Sequence, residues 1–230
     1  MKKISALLLV LLPFALYSQL SQQPTQNSTQ KTSKPEKKEI GIGIRAGYNF
    51  ANVTNASQIN MSGRAGWHVG LVYAPHSHGI IGSRTEIIYS QHGYNYTNDT
   101  VNGQVNLDYI MLAQYMAIHI TKYFEIDLGG QTAYLLSAKV DSSTQKSTGN
   151  AQVDQTLSYY NRLDYGYGGG VEIHPFKGLL IGARYSISLS NLFKMPSAYP
   201  TGNGQPPSFV PTIDFNPKNN VVQVYLGYKF

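Results

Sequence analysis

The sequence predicts an all-β fold: an eight-stranded antiparallel transmembrane β-barrel with short periplasmic turns and long extracellular loops. Three observations predict it. An apolar leader opens the chain, hydrophobicity alternates with period two over most of the remainder, and the stretches between alternating segments are short and long by turns.

Composition narrows the class before any element is placed. Only 13% of the 230 residues are charged, against roughly 25% in an average soluble domain, while Gly, Tyr and Phe number 22, 18 and 8. The absence of Cys excludes disulfides, thiolate metal sites, Cys nucleophiles and a lipid-modified Cys, all of which need the sulfur. A formal net charge of +6 would suggest nucleic acid if its placement did not argue otherwise.

Lys2 and Lys3 precede the apolar run Ile4 to Leu16, and Ser18 and Gln19 follow, the order of a secretory signal peptide over residues 1–18. As a helix the run is shorter than the roughly 20 residues a bilayer requires, so export is expected rather than a retained anchor. Removing Lys2 and Lys3 takes the net charge from +6 to +4. An exported chain is not expected to meet nucleic acid. Residues 19–39 are rich in Gln, Ser, Thr and Lys, with almost nothing to bury, and read as a flexible periplasmic tail.

Residues 40–230 form the barrel domain. The first segment sets Ile40, Ile42, Ile44, Ala46, Tyr48 and Phe50 against Gly41, Gly43, Arg45, Gly47 and Asn49. The second sets Ala65, Trp67, Val69, Leu71 and Tyr73 against Arg64, Gly66, His68 and Gly70, and the third sets Ile81, Ile87 and Tyr89 against Arg84, Glu86, Ser90 and His92. A fourth, about 107–120, is apolar on both parities, so its strand is placed but not its facing. The fifth puts Phe124, Ile126, Leu128, Tyr134 and Leu136 opposite Glu125, Asp127, Gly129 and Gln131. In the sixth, Tyr165, Tyr167, Val171 and Ile173 oppose Asp164, Gly166, Gly168, Gly170 and Glu172. The seventh opposes Leu179, Ile181, Tyr185, Ile187 and Leu189 to Gly182, Arg184, Ser186, Ser188 and Ser190; the eighth opposes Val222, Val224, Leu226, Tyr228 and Phe230 to Gln223, Gly227 and Lys229.

Tight turns are expected at 75–79, 121–123 and 175–178, and longer loops at 52–62, 95–106, 139–163 and 192–219. A soluble sandwich would have to make its core from the small and charged parity, whereas the Ile, Leu and Tyr parity suits lipid. From Ile40 to Phe230 there are 191 residues, and sixteen strands of about ten would leave too few for porin loops. Eight strands leave an interior just wide enough for side chains.

The inward charges are therefore the main candidate constellation. Arg45, Arg64, Arg84, Arg184 and Lys229 balance Glu86, Glu125, Asp127, Asp164 and Glu172 in number. In a narrow lumen such charges must pair, since an unpaired buried charge is costly, and the expectation is an ionic plug that fixes register and blocks flow. A proton or ion path is the competing reading and would need continuous water. His76 and His78 are read as a solvated turn rather than a metal site, Ser90, His92 and Asp99 as too scattered for catalysis, and Gly166 to Gly170 as a strand rather than a phosphate loop. No cofactor, metal or catalytic residue is expected. The last loop carries Tyr199, Phe209 and Phe215 among six prolines, and is either a contact surface or a cover over its own barrel mouth.

These residues resemble the outer-membrane β-barrel family widespread in Bacteroidota and often called PorT-like. The resemblance spans Ile40 to Phe230 and rests on GIRAGYNF at 43–50, EIIYSQHG at 86–93, DYGYGGG at 164–170, Arg184 with Tyr185, and LGYKF at 226–230. The chain departs from it in the fourth strand, with YIMLAQ at 109–114 where the family usually has Pro and Glu. The resemblance implies a bacterial outer-membrane location, lipid and the barrel assembly machinery as partners, and Tyr228 with Phe230 as an assembly signal. It also implies a possible accessory role in secretion, since the family name comes from a member linked to type IX secretion. The expected function is a non-enzymatic structural or interaction barrel with an unidentified protein partner, with a secretion or transport accessory as the alternative and a small channel third.

Overall fold

The computed structural model describes residues 41–54, 60–75, 77, 79–98, 101–142, 156–194, 210 and 217–230. The expected signal peptide and tail, His76, His78, Asp99, Tyr199, Phe209 and Phe215 lie outside the described residues.

Eight strands close into one barrel in chain order, each antiparallel to its neighbours: β1 (Ile42–Thr54), β2 (Asn60–Tyr73), β3 (Ile81–Asn98), β4 (Val101–His119), β5 (Phe124–Ser142), β6 (Leu163–Phe176), β7 (Leu179–Ser188) and β8 (Lys218–Lys229). The seam pairs β1 with β8, from Gly43 opposite Lys229 to Thr54 opposite Lys218. Closure leaves no unpaired edge, which a bilayer requires.

Period two decides the two faces as the sequence predicts. Leu71, Ile87 and Leu226 on the outer face are 58%, 52% and 58% exposed, whereas Arg45 and Asp127 on the inner face are 1% and 0% exposed. Outward aromatic residues gather toward the two ends. Tyr73, Tyr123, Phe176, Tyr228 and Phe230 mark the end with the short turns; Tyr48, Phe50, Tyr134, Tyr165 and Tyr185 mark the other. Such girdles sit at the two membrane interfaces around an apolar band.

The fourth strand, whose facing the sequence leaves open, buries Val105, Leu107, Tyr109, Met111, Ala113 and Tyr115 and turns Ile110, Leu112 and Met116 outward. Both parities are apolar because one meets lipid and the other a packed interior. At Asp108/Tyr109 the β4–β5 register shifts past Leu136, and Ala138 then faces inward.

The loop expected at 95–106 is a correction. β3 runs to Asn98 and β4 starts at Val101, with Asn98 paired to Val101. Beyond the lipid band the alternation inverts: Tyr94, Tyr96 and Val105 point inward, while Asn95, Thr97, Asn102 and Gln104 point away from the interior. Polar residues on the outer parity read as loop in sequence, yet here they coat a strand ribbon in water. The first loop likewise shrinks to 55–59, leaving 143–162 and 189–217 as the long connections.

Candidate functional site

The strands bring seven inward charges into one cluster that reaches from the barrel interior to the short-turn end. Arg45 comes from β1, Arg84 and Glu86 from β3, Glu125 and Asp127 from β5, Glu172 from β6 and Arg184 from β7. Glu125 and Glu172 are cross-strand neighbours, a pairing of like charges that is unfavourable by itself. Arg84 relieves it. Its guanidinium holds Glu125, Asp127 Oδ2 at 2.6 Å and Glu172 Oε1 at 2.5 Å.

Arg184 donates to both oxygens of Glu86, at 2.7 and 3.1 Å, and reaches Asp127 Oδ2 at 3.2 Å. Arg45 donates to Glu86 Oε2 at 2.8 Å and to Gln223 Oε1 at 3.1 Å. Two tyrosines complete the cluster: Arg45 lies 4.0 Å from the ring centroid of Tyr225 and Arg184 lies 3.8 Å from that of Tyr115. The Tyr225 hydroxyl donates to Glu172 Oε1 at 2.8 Å. Each ion loses several kcal/mol of hydration in such a place, so the lumen tolerates these groups only as a connected network.

Glycines make room for those rings. Both cross-strand neighbours of Tyr225 are glycine, Gly47 on β1 and Gly182 on β7. A Cβ at Gly182 would stand 2.5 Å from the ring, and one at Gly47 would stand 2.8 Å from the Tyr225 Cβ.

A layer of neutral polar groups adjoins the cluster. Gln223 donates to Asn49 Oδ1 at 3.1 Å, His68 Nδ1 lies 2.7 Å from the same oxygen, and Asn49 Nδ2 donates to Ser90 Oγ at 2.8 Å. Asn219 Nδ2 donates to His92 Nδ1 at 2.8 Å, which leaves the proton on Nε2, 2.9 Å from Ser90 Oγ. Activation of Ser90 as a nucleophile would need the opposite polarity, with His92 accepting from the hydroxyl.

Beyond this layer the interior is aromatic and apolar. Tyr94, Tyr109, Leu135, Tyr160, Phe193 and Val210 belong to one buried cluster. Tyr160 and Phe193 stack at 4.9 Å and bridge through their main chains, and the Tyr94 and Tyr160 hydroxyls meet at 2.5 Å. The two long connections therefore contribute side chains that fill the extracellular mouth.

At the opposite end a cavity of about 390 Å³ opens to the short-turn side, lined by Ser77, Arg84, His119, Glu125, His174 and Lys229 among others. One oxygen each from Glu125 and Glu172 and one nitrogen of His174 lie within 4.8 Å of one another, the group among the described residues that could hold a metal ion.

Of the ten charges singled out from sequence, seven meet in the cluster. The other three lie elsewhere. Arg64 donates to Asn106 Oδ1 at 2.5 Å, Asp164 accepts from Ser188 and Ser190 at 2.5 Å each, and Lys229 lines the cavity. The equal count of five and five thus becomes three guanidiniums against four carboxylates where the charges actually touch. Tyr228 and Phe230 lie on the outer face with ring centroids 5.4 Å apart. Sequence reasoning missed Tyr115, Tyr225, His119 and His174. Each tyrosine faces a glycine across the sheet, Tyr115 pairing with Gly129 as Tyr225 does with Gly47 and Gly182, but that pairing appears only with the strand register.

The family model described as outer membrane protein beta-barrel domain matches residues 18–194. Among solved structures, the chain is similar to Ail, the attachment invasion locus protein of Yersinia pestis, at 16% identity and a TM-score of 0.47, covering 83% of this chain and 99% of that one. Neisserial surface protein A is matched at 13% identity and a TM-score of 0.49, covering 83% and 97%. OprG from Pseudomonas aeruginosa is matched at 12% identity and a TM-score of 0.41, covering 82% and 95%. Comparison with the curated proteins finds no match.

Proposed function

The chain belongs to the outer membrane protein beta-barrel domain family, and from that premise we propose that it is a sealed, non-enzymatic barrel of the bacterial outer membrane that acts through what its exposed segments bind. One observation carries this reading: the lumen is occupied in successive layers by the ion cluster, the amide and imidazole layer and the aromatic cluster. An interior so filled leaves transport without a continuous aqueous route. Binding then falls to the long connections at 143–162 and 189–217 and to the polar segment at 19–39.

The second reading is an accessory component of a secretion or transport assembly, supported by the EIIYSQHG segment at 86–93 and its resemblance to PorT-like barrels. Two measurements separate these readings from each other and from a channel. Refolded protein in a planar bilayer should give no steady conductance, and large, long-lived openings would overturn the sealed barrel. Purification from native outer membranes in mild detergent, with a tag near Ser28, should yield a lone barrel under the first reading and a stoichiometric partner under the second.

A further inference from the structure

We propose that the periplasmic mouth of the barrel is a binding site for one divalent transition-metal ion of borderline softness, Zn²⁺ being the representative, ligated by Glu125, Glu172 and His174. The site goes beyond the sealed-barrel reading and does not depend on it.

Register builds the site. His119 on β4 pairs with Glu125 on β5, which pairs with Glu172 on β6. His174 follows Glu172 by two residues and so shares its parity. Arg84 takes one oxygen from each carboxylate, Oε1 of Glu125 and Oε1 of Glu172. Both Oε2 atoms are thereby turned toward the imidazoles. Glu125 Oε2 lies 2.9 Å from His119 Nδ1 and 3.7 Å from His174 Nε2, and Glu172 Oε2 lies 3.8 Å from His174 Nε2.

A second observation points to a ligand. Glu172 is 1% exposed and its Oε2 has no hydrogen-bond partner, nor has His174 Nε2. Buried polar atoms left this way are expensive, and native structures seldom keep them without an unseen occupant. Their separation is too long for a hydrogen bond. It is close to the roughly 3.4 Å that separates two donors on one tetrahedral ion with bonds of about 2.0–2.2 Å.

Charge and access agree with the geometry. The connected cluster holds one more carboxylate than guanidinium, so it can accept a cation. The cavity of about 390 Å³ gives an entry path and space for water, and His119 stands ready as a further ligand if it releases Glu125. One imidazole with two carboxylate oxygens suits Zn²⁺ and its first-row neighbours, and lacks the all-oxygen shell that Ca²⁺ and Mg²⁺ prefer. An ion here would join β5 to β6 at their periplasmic ends.

The test uses the whole exported chain, carrying no polyhistidine tag, extracted in detergent, stripped with chelator and titrated with Zn²⁺ in a calorimeter. Heat-modifiable gel mobility verifies that every variant is a folded barrel. One Zn²⁺ per barrel is expected, with a higher thermal midpoint when loaded. His174→Ala should weaken binding by about tenfold or more, and the His76→Ala/His78→Ala double variant should leave it unchanged. His174→Asn, which retains a polar group, replaces the alanine variant should that one not fold. Absence of binding to the folded wild-type barrel overturns the site. So does unchanged affinity in the His174 variant, or loss of binding in the turn double variant.

Discussion

Arg184 on β7 and Glu86 on β3 join opposite walls of the barrel through two hydrogen bonds of 2.7 and 3.1 Å. Three strands lie between β3 and β7 in either direction around the sheet, so the pair acts as a strut across the lumen. Glu86 also accepts from Arg45, so it is shared by two guanidiniums from different walls, as Asp127 is by Arg84 and Arg184.

Glu86→Gln should be strongly destabilising. Removing one member of a buried ionic group leaves its partners uncompensated, at a cost of about 3–5 kcal/mol. Urea unfolding of the barrel in lipid vesicles, followed by tryptophan fluorescence of Trp67, measures the loss. A loss below about 1 kcal/mol would mean that water reaches Arg45 and Arg184.

The strands were legible because period two survives wherever one face meets lipid, as from Ile42 to Phe50 and from Trp67 to Tyr73. It misled at 95–106, where the outer parity meets water and the tyrosines turn inward. The charges were legible as an inward set but not as a cluster, since only register decides that Arg84 reaches three carboxylates while Arg64 reaches none of them. Tyr225 was invisible because tyrosine serves both faces of this barrel. His119 and Glu125 sit across a short turn, and their pairing appears only once the hairpin register is known.

Gly182→Ala should displace the Tyr225 ring, because the added methyl would stand 2.5 Å from it. Overpacking of this kind costs about 1–3 kcal/mol. Combining it with Tyr225→Ala should recover part of that loss in a double-mutant cycle. Strictly additive losses would mean that the methyl is accommodated elsewhere.

Phe193→Ala should open the extracellular mouth. The ring is buried against Tyr160 and Tyr94, and removing a buried aromatic costs about 3–5 kcal/mol. Faster cleavage of whole cells' barrels by an external protease, with the short-turn end unaffected, is the expected readout. Unchanged cleavage would place the stability of that mouth in other contacts.

Tyr228 and Phe230 offer a separate test of assembly. Phe230 donates its main-chain N–H to Ile42 O at 2.9 Å, so its side chain can be changed while the seam bond is kept. If the two rings form the recognition signal, Phe230→Ser should lower the outer-membrane level of the protein without altering the melting of what is assembled. Equal levels of the variant and the parent would remove that role.

The ribbon formed by the outer halves of β3 and β4 also changes the thermodynamics of any encounter outside the cell. Main-chain pairing continues to Asn98 and Val101, so the conformational freedom of these residues is already lost when the barrel folds. An unstructured loop would surrender about 1–2 kcal/mol per residue on being ordered by a ligand. Contacts made along this ribbon incur no such loss, so even a small polar epitope there can give measurable affinity and a fast on-rate.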